Sequence, residues 1–336
     1  MDDIKTILQK LTVPKPTPTM DDDLQQTPLF TFGVIADIQY ADIDDGYNYQ
    51  RTQRRYYRSS LRLLRNALEN WSEAAVKPGF ILQLGDIIDG FNSRHGASEQ
   101  ALDTVLREFS PISAEVHHVW GNHELYNFSR SWLLRSKLNS APFPGHIFVL
   151  LDAYDVSVLG RDESTEQHRE AMTLLRHYNT NENLNSEGLR ERFTMFNGGF
   201  GKDQLAWLDS LLSSADKKQE RVTIVCHLPV HPKSAETTCL AWNFDKVLAM
   251  IRSHSCVVCF LAGHEHKGGY HLDTDTGVHH LTLEAVIETP PDSNAFGMVF
   301  VYDDRMELKG SGRMPDRVQR AKFHALHCSL IAAAGF

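Results

Sequence analysis

Five short apolar runs, each stopping on a cluster of metal-type donors, constrain this chain more than any other feature. Phe30 to Ala36 stops at Asp37-Ile38-Gln39, and Phe80 to Leu84 stops at Gly85-Asp86-Ile87-Ile88-Asp89. Val116 to Trp120 leads into Gly121-Asn122-His123-Glu124, Val222 to Cys226 into His227, and Val257 to Ala262 into Gly263-His264-Glu265-His266. Short apolar and β-branched runs bounded by Gly and polar residues predict buried strands. Between and after them, periodicity predicts helices over Arg51–Asn70, Ser98–Phe109, Glu166–His177, Lys202–Leu212 and Asn243–Ser253, the first with Tyr57, Leu61, Leu64 and Leu68 on one face. Further strands are expected at Phe148–Leu151, His279–Leu283, Met298–Tyr302 and Met306–Lys309. Strands alternating with helices predict a layered α/β fold with packed sheets, which places ligands at the carboxyl ends of strands.

Each cluster alone has an ordinary explanation. Asp37 or Asp86 can cap a helix, and a lone His227 is more often a satisfied core or surface residue than a ligand. Glu124 reads as a helix-start residue outside the site, and Asp89 as a group that holds a ligand's partner. The ordered occurrence of five clusters at strand ends outweighs those readings. In an extended segment residues i and i+2 share a side, so Asp37 with Gln39, and His264 with His266, are expected to point into one pocket. Glycines before Asp86, Asn122 and His264 allow tight turns and close backbone approach.

Composition excludes several classes. The 336 residues are 42% hydrophobic and 23% charged, an ordinary globular balance, and the net charge of -9 argues against a nucleic-acid-binding surface. Five scattered cysteines make no disulfide framework and suggest a reducing compartment. Cys256 and Cys259 have zinc-like spacing but face opposite sides of a strand, so core packing is the reading. No stretch is long enough for a membrane span and no targeting segment is evident, so a cytoplasmic protein with no membrane partner, acting as a monomer, is expected. Residues 1–28 read as a flexible leader, 29–318 as one domain with an excursion over the site at 160–200, and 319–336 as a tail that frays or docks.

The ordered set Asp37-x-Gln39, Gly85-Asp86-x-x-Asp89, Gly121-Asn122-His123, His227 and Gly263-His264-x-His266 resembles the calcineurin-like metallophosphoesterases. That resemblance implies an α/β/β/α sandwich with a dimetal site at strand carboxyl ends. Asp37, Gln39, Asp86 and His266 would hold one ion; Asn122, His227, His264 and the shared Asp86 would hold the other. It implies a metal-bridging hydroxide as nucleophile and His123 as the group stabilising charge or protonating the leaving oxygen. Gln39 replaces a histidine that many members carry, and its harder oxygen suits Mn²⁺, or Mg²⁺, better than zinc. Gly90-Phe91-Asn92 lacks the arginine by which protein phosphatases grip phosphate.

Asp37-Ile38-Gln39-Tyr40-Ala41-Asp42, Phe196-Asn197-Gly198-Gly199-Phe200, Ile287-Glu288-Thr289-Pro290 and Gly312-Arg313-Met314-Pro315-Asp316-Arg317 look more narrowly like the Mn²⁺-dependent ADP-ribose/CDP-alcohol diphosphatases. The implied reaction is hydrolysis of the pyrophosphate link of ADP-ribose, CDP-choline and related nucleotides, a small-molecule substrate class. Tyr49, Leu189, Cys239 and Trp242 are candidate substrate contacts, since aromatic rings near a phosphate site can stack on bases. The stretch 137–147 is shorter than in those relatives, which is expected to expose a sheet edge or loosen the site. Other dimetal phosphohydrolases, on phosphodiesters, cyclic nucleotides or monoesters, and a metal-binding form without turnover stay open.

Overall fold

A computed structural model of the chain describes residues 27–138, 144–145, 147–186, 191–321 and 328–332. Most of the expected leader, residues 1–26, and the candidate Leu189 lie outside the described residues. In order the chain forms β1 (Phe30–Ile35), β2 (Gly46–Tyr47), β3 (Arg54–Arg55), α1 (Ser59–Glu73), β4 (Phe80–Gln83), α2 (Phe91–Arg94), α3 (Ser98–Phe109), β5 (Glu115–His118), α4 (Asn122–Asn127) and α5 (Arg130–Leu133). Then follow β6 (Pro144–Gly145), β7 (Ile147–Leu150), α6 (Glu166–Tyr178), α7 (Lys202–Lys218), β8 (Val222–Val225), α8 (Phe244–Ser253) and β9 (Val257–Ala262). The last part is all strand: β10 (Gly269–Asp273), β11 (Val278–Thr282), β12 (Ala295–Val301), β13 (Arg305–Gly312), β14 (Arg317–Arg320) and β15 (Cys328–Ala332).

Two sheets carry the molecule. One has the order β14-β13-β12-β1-β4-β5, the other β10-β11-β9-β8-β7-β15-β6. The neighbours β1, β4 and β5 run parallel, as do β7, β8 and β9, so each trio delivers its carboxyl ends to one side. The sheets meet face to face through a dry layer in which Phe32 and Phe80 stack at 5.1 Å and Phe148 sets its edge on both. Each such buried ring contributes about 1.5–3 kcal/mol relative to exposure. The outer faces are covered by helices: α1 buries Leu61, Leu64, Leu68 and Trp71, and the Trp71 indole N–H donates to Gly297 O of β12 at 3.2 Å. This is the expected α/β/β/α layering.

Two expectations change. The first helix begins at Ser59, not Arg51, because Arg54 and Arg55 pair with Gly46 and Tyr47 in an antiparallel ribbon; Tyr57 is buried but precedes the helix. The sheet edge near 137–147 is covered instead of exposed. β15 lies parallel to β7, with Leu330 opposite Phe148, and antiparallel to the two-residue β6. The tail therefore docks as a strand. Cys256 and Cys259 do face opposite ways, as expected, towards Leu212 O of α7 and Gln319 of β14, and burial pushes the Cys256 thiol up to about 12. No helix among the described residues is long and apolar enough to cross a membrane.

Candidate metal centre

The carboxyl ends of β1, β4, β5, β8 and β9 converge, and the seven donors expected there sit together. Asp37 and Gln39 follow β1 in left-handed backbone (φ 52° and 44°), as do Asp86 after β4 (φ 57°) and His264 after β9 (φ 69°). The pairing of Asp37 with Gln39 thus comes from successive left-handed turns and not from an extended pleat. Only six described non-glycine residues have positive φ, and four are these donors. Non-glycine residues in this region cost free energy and cluster at functional sites. Gly121 is extended, so its lack of a side chain serves close approach: a Cβ there would lie 2.0 Å from Asp86 Oδ1.

Asp86 is the hub. Its Oδ1 accepts from the His123 backbone N–H at 2.8 Å, while Oδ2 lies 3.4 Å from His227 Nε2 and 3.2 Å from the Gln39 amide nitrogen. Asp86, His227 and His264 present ligand atoms within 4.8 Å of one another. Asp37 Oδ1 is 3.6 Å from His266 Nε2, and the Gln39 amide nitrogen is 3.0 Å from the same atom. A 180° turn of that amide would present its oxygen to Asp86 and His266 instead. Asn122 Oδ1 accepts from the Tyr154 hydroxyl at 3.3 Å, and the Tyr154 ring tilts against His227.

Every imidazole has its outer nitrogen tied, which leaves the inner one facing the centre. His227 Nδ1 donates to Leu84 O at 2.7 Å, His266 Nδ1 meets Glu288 at 2.9 Å, and His264 Nε2 meets Asn197 Oδ1 at 2.9 Å. Such outer partners fix tautomer and ring orientation in metal sites. His123 is arranged the other way: Gly90 N–H donates to its Nδ1 at 2.8 Å, so in the neutral ring Nε2 carries the proton and faces Asp86 Oδ2 at 3.9 Å. Asp89 stands behind it, 3.4 Å from Nδ1.

Electrostatics tests whether cations fit. Burial raises the Asp86 carboxyl, but the charges of His227 and His123 outweigh it and hold it well below the usual carboxylate range. Burial lowers His227 and His266, yet Asp86 for the first, and Asp37 with Glu288 for the second, lift both rings to about 9. Burial and the His227 charge push His264 well below its ordinary value. A fully buried acidic cluster is thus drawing positive charge onto imidazoles, where divalent ions would displace protons. Asp37 Oδ1 and Gln39 Oε1 are buried with no hydrogen-bond partner among the described residues. An unsatisfied carboxylate oxygen 3.6 Å from an imidazole nitrogen, and an amide oxygen that a turn of the Gln39 side chain brings to the same place, suit cation coordination, so the donor set fits.

Three residues reached the site unannounced. Glu124, read as a mere helix start, is fully buried; it accepts from the backbone N–H groups of Asp86, Ile87 and Gly121 at 2.8, 2.7 and 2.7 Å. Burial and the Asp86 charge push its carboxyl up to about 7. Asn197, from the excursion, orients His264, and Arg55 lies 3.8 Å from both Asp89 and Glu288. Capping-box spacing was the available signal for Glu124, and the Phe196–Phe200 stretch was the signal for Asn197, whereas Arg55 had none. Among the substrate candidates, Tyr49 is exposed with its hydroxyl accepting from Asn183 at 3.2 Å, and Cys239 is half-buried. Trp242 is a correction. It is 1% exposed, donates its indole N–H to Thr194 O and stacks on Phe193, so its ring offers no face to a base.

Comparison with known proteins follows the same line. The calcineurin-like phosphoesterase profile matches residues 30–268. The chain is 51% identical to the manganese-dependent ADP-ribose/CDP-alcohol diphosphatase of Mus musculus, over 88% of this chain and 94% of that protein. It is 49% identical to the human protein of that name, over 94% of this chain and 99% of the other. A crystal structure of a dimetal phosphatase from Danio rerio superposes with a TM-score of 0.84 at 52% identity, covering 87% of this chain and 99% of that one.

Proposed function

The chain belongs to the calcineurin-like phosphoesterase family, and from that premise we propose that it is a Mn²⁺-dependent hydrolase of the pyrophosphate bond in ADP-ribose, CDP-choline and related nucleoside diphosphate derivatives, releasing a nucleoside monophosphate. The observation that carries this reading is the convergence of seven oxygen and imidazole donors, six of them buried, with two oxygens left unsatisfied among the described residues. Asp37, Gln39, Asp86 and His266 would hold one ion, and Asp86, Asn122, His227 and His264 the other. Four of the seven donors are oxygen ligands, which favours Mn²⁺. Two such ions, when bound, supply Lewis-acid polarisation of phosphoryl oxygens and make water acidic enough to act as a nucleophile.

The protein's own groups do the rest. Glu124 locks three backbone N–H groups and so holds Asp86 and the turn before Asn122 in register. His123, with Nε2–H fixed by the Gly90 contact, donates to the departing phosphate oxygen as charge develops there. The exposed Tyr49 ring and Cys239 are the proposed nucleotide contacts. We also place the protein in the cytoplasm as a monomer; the four free cysteines among the described residues fit a reducing compartment, and sedimentation checks the monomer.

The test is turnover of ADP-ribose, CDP-choline and cyclic AMP by metal-stripped protein resupplied with Mn²⁺, Mg²⁺ or Zn²⁺. Mn²⁺-dependent release of AMP and CMP from the first two is the expected result. Cleavage of cyclic AMP alone, or silence from folded, ion-loaded protein, sinks the reading.

A further inference from the structure

A second cluster of donors, none belonging to the strand-end centre, lies at the β10–β11 edge. His271 and His280 are direct cross-strand partners, and Asp273, two residues along β10, shares the face of His271. From the segment after β8, His231 lies against both rings, 4.3 Å from the His271 centroid and 4.6 Å from that of His280. The ligand atoms of His231, Asp273 and His280 lie within 4.8 Å of one another, and all three residues are buried. Among the described residues, neither nitrogen of His280 has a hydrogen-bond partner, although its side chain is 1% exposed. Leaving a buried polar group unsatisfied is destabilising, and such groups are rare unless something else binds them.

We propose that His231, Asp273 and His280 form a third metal site, for a single divalent transition ion of the Zn²⁺ class. Two imidazoles and one carboxylate are a recurrent zinc donor set, with the remaining position left to water or another ligand. Here that position opens onto a cleft of about 450 Å³ walled by Lys233, Phe244, Arg252 and His271. Arg252 Nε, 2.8 Å from Asp273 Oδ2, and the Asp275 N–H, 3.2 Å from Oδ1, orient the carboxylate from outside. One contact opposes ligation. The Lys233 N–H donates to His231 Nδ1 at 3.2 Å, a long bond that an ion on that nitrogen must replace.

The experiment is Zn²⁺ binding by metal-stripped protein, read by equilibrium dialysis with elemental analysis and by the visible spectrum of the Co²⁺-substituted form. His280→Phe should bind one equivalent less than the native chain and lose one set of Co²⁺ bands. Its Mn²⁺-dependent turnover should stay within about twofold, because His280 touches no donor of the strand-end centre. Equal Zn²⁺ uptake and an equal Co²⁺ spectrum in the two proteins overturn the site. If the phenylalanine variant does not fold, the near-isosteric Asp273→Asn decides: one equivalent lost supports the proposal, and unchanged stoichiometry refutes it.

Discussion

The strand-end centre and the β10–β11 cluster are both buried sets of histidine and aspartate, yet they are built on opposite plans. In the first, His227, His264 and His266 each have the outward nitrogen tied to Leu84, Asn197 or Glu288. Four of the seven donors, Asp37, Gln39, Asp86 and His264, sit on left-handed backbone at strand ends. In the second, the residues lie on or beside a regular antiparallel ladder, and among the described residues His280 has no brace at either nitrogen. The difference teaches what bracing is for. A site whose rings are held in advance spends little free energy on rearrangement when it binds, whereas a site with a ring left unbraced must orient that ring as the ion arrives.

Removing the hub of the braced centre is the sharpest way to break the comparison. Asp86→Asn should lower Mn²⁺-dependent turnover by at least about 10³-fold, since several kcal/mol of charge stabilisation go with it. Circular dichroism should show the fold retained; near-native turnover in this variant would remove the dimetal reading. Glu124→Ala comes next. It strands three buried backbone N–H groups, so urea unfolding should report a loss of about 3 kcal/mol or more, together with loss of turnover.

Glu288→Gln sharpens the comparison without touching a donor. The Mn²⁺ concentration for half-maximal activity should rise about 10–100-fold through the freed His266 ring, with saturated turnover largely recovered. An unchanged metal requirement would show that bracing does not matter here.

The smallest effect belongs to a histidine outside both clusters. Burial lowers His254, but Asp216 at 2.7 Å and Asp209 at 3.1 Å raise it above its ordinary value. The folded pKa therefore exceeds the unfolded one, so the contribution is full below about pH 6.5 and fades as pH rises through the folded value. With Asp209 largely exposed, His254→Gln should cost about 0.5 kcal/mol at about pH 6 and almost nothing at about pH 9, read by thermal melts.

The legible part of this molecule is what a polar residue directly after an apolar run can announce. Asp37, Asp86, Asn122, His227 and His264 all follow such runs, and β9 and α3 fall on their expected residues. What escaped depends on partners far apart in sequence. Asn197 meets His264 across 67 residues and Glu124 meets Asp86 across 38, distances over which periodicity carries no information. Trp242 and Tyr57 were misplaced for a related reason: an aromatic residue reads alike on a binding loop, in a helix or in the core. The covered sheet edge escaped because β15 joins β7 from about 180 residues away, a pairing that local pattern does not encode.

The left-handed donors carry one more consequence, for how such a chain changes over generations. Glycine at residues 37, 39, 86 or 264 would relieve a backbone penalty on the order of 1 kcal/mol each, so stability alone pushes sequences away from Asp, Gln, Asp and His at these places. A lineage released from the need for the centre would be expected to drift there first. Four side chains kept where glycine would be more comfortable are the stability cost of the donor geometry proposed for this centre.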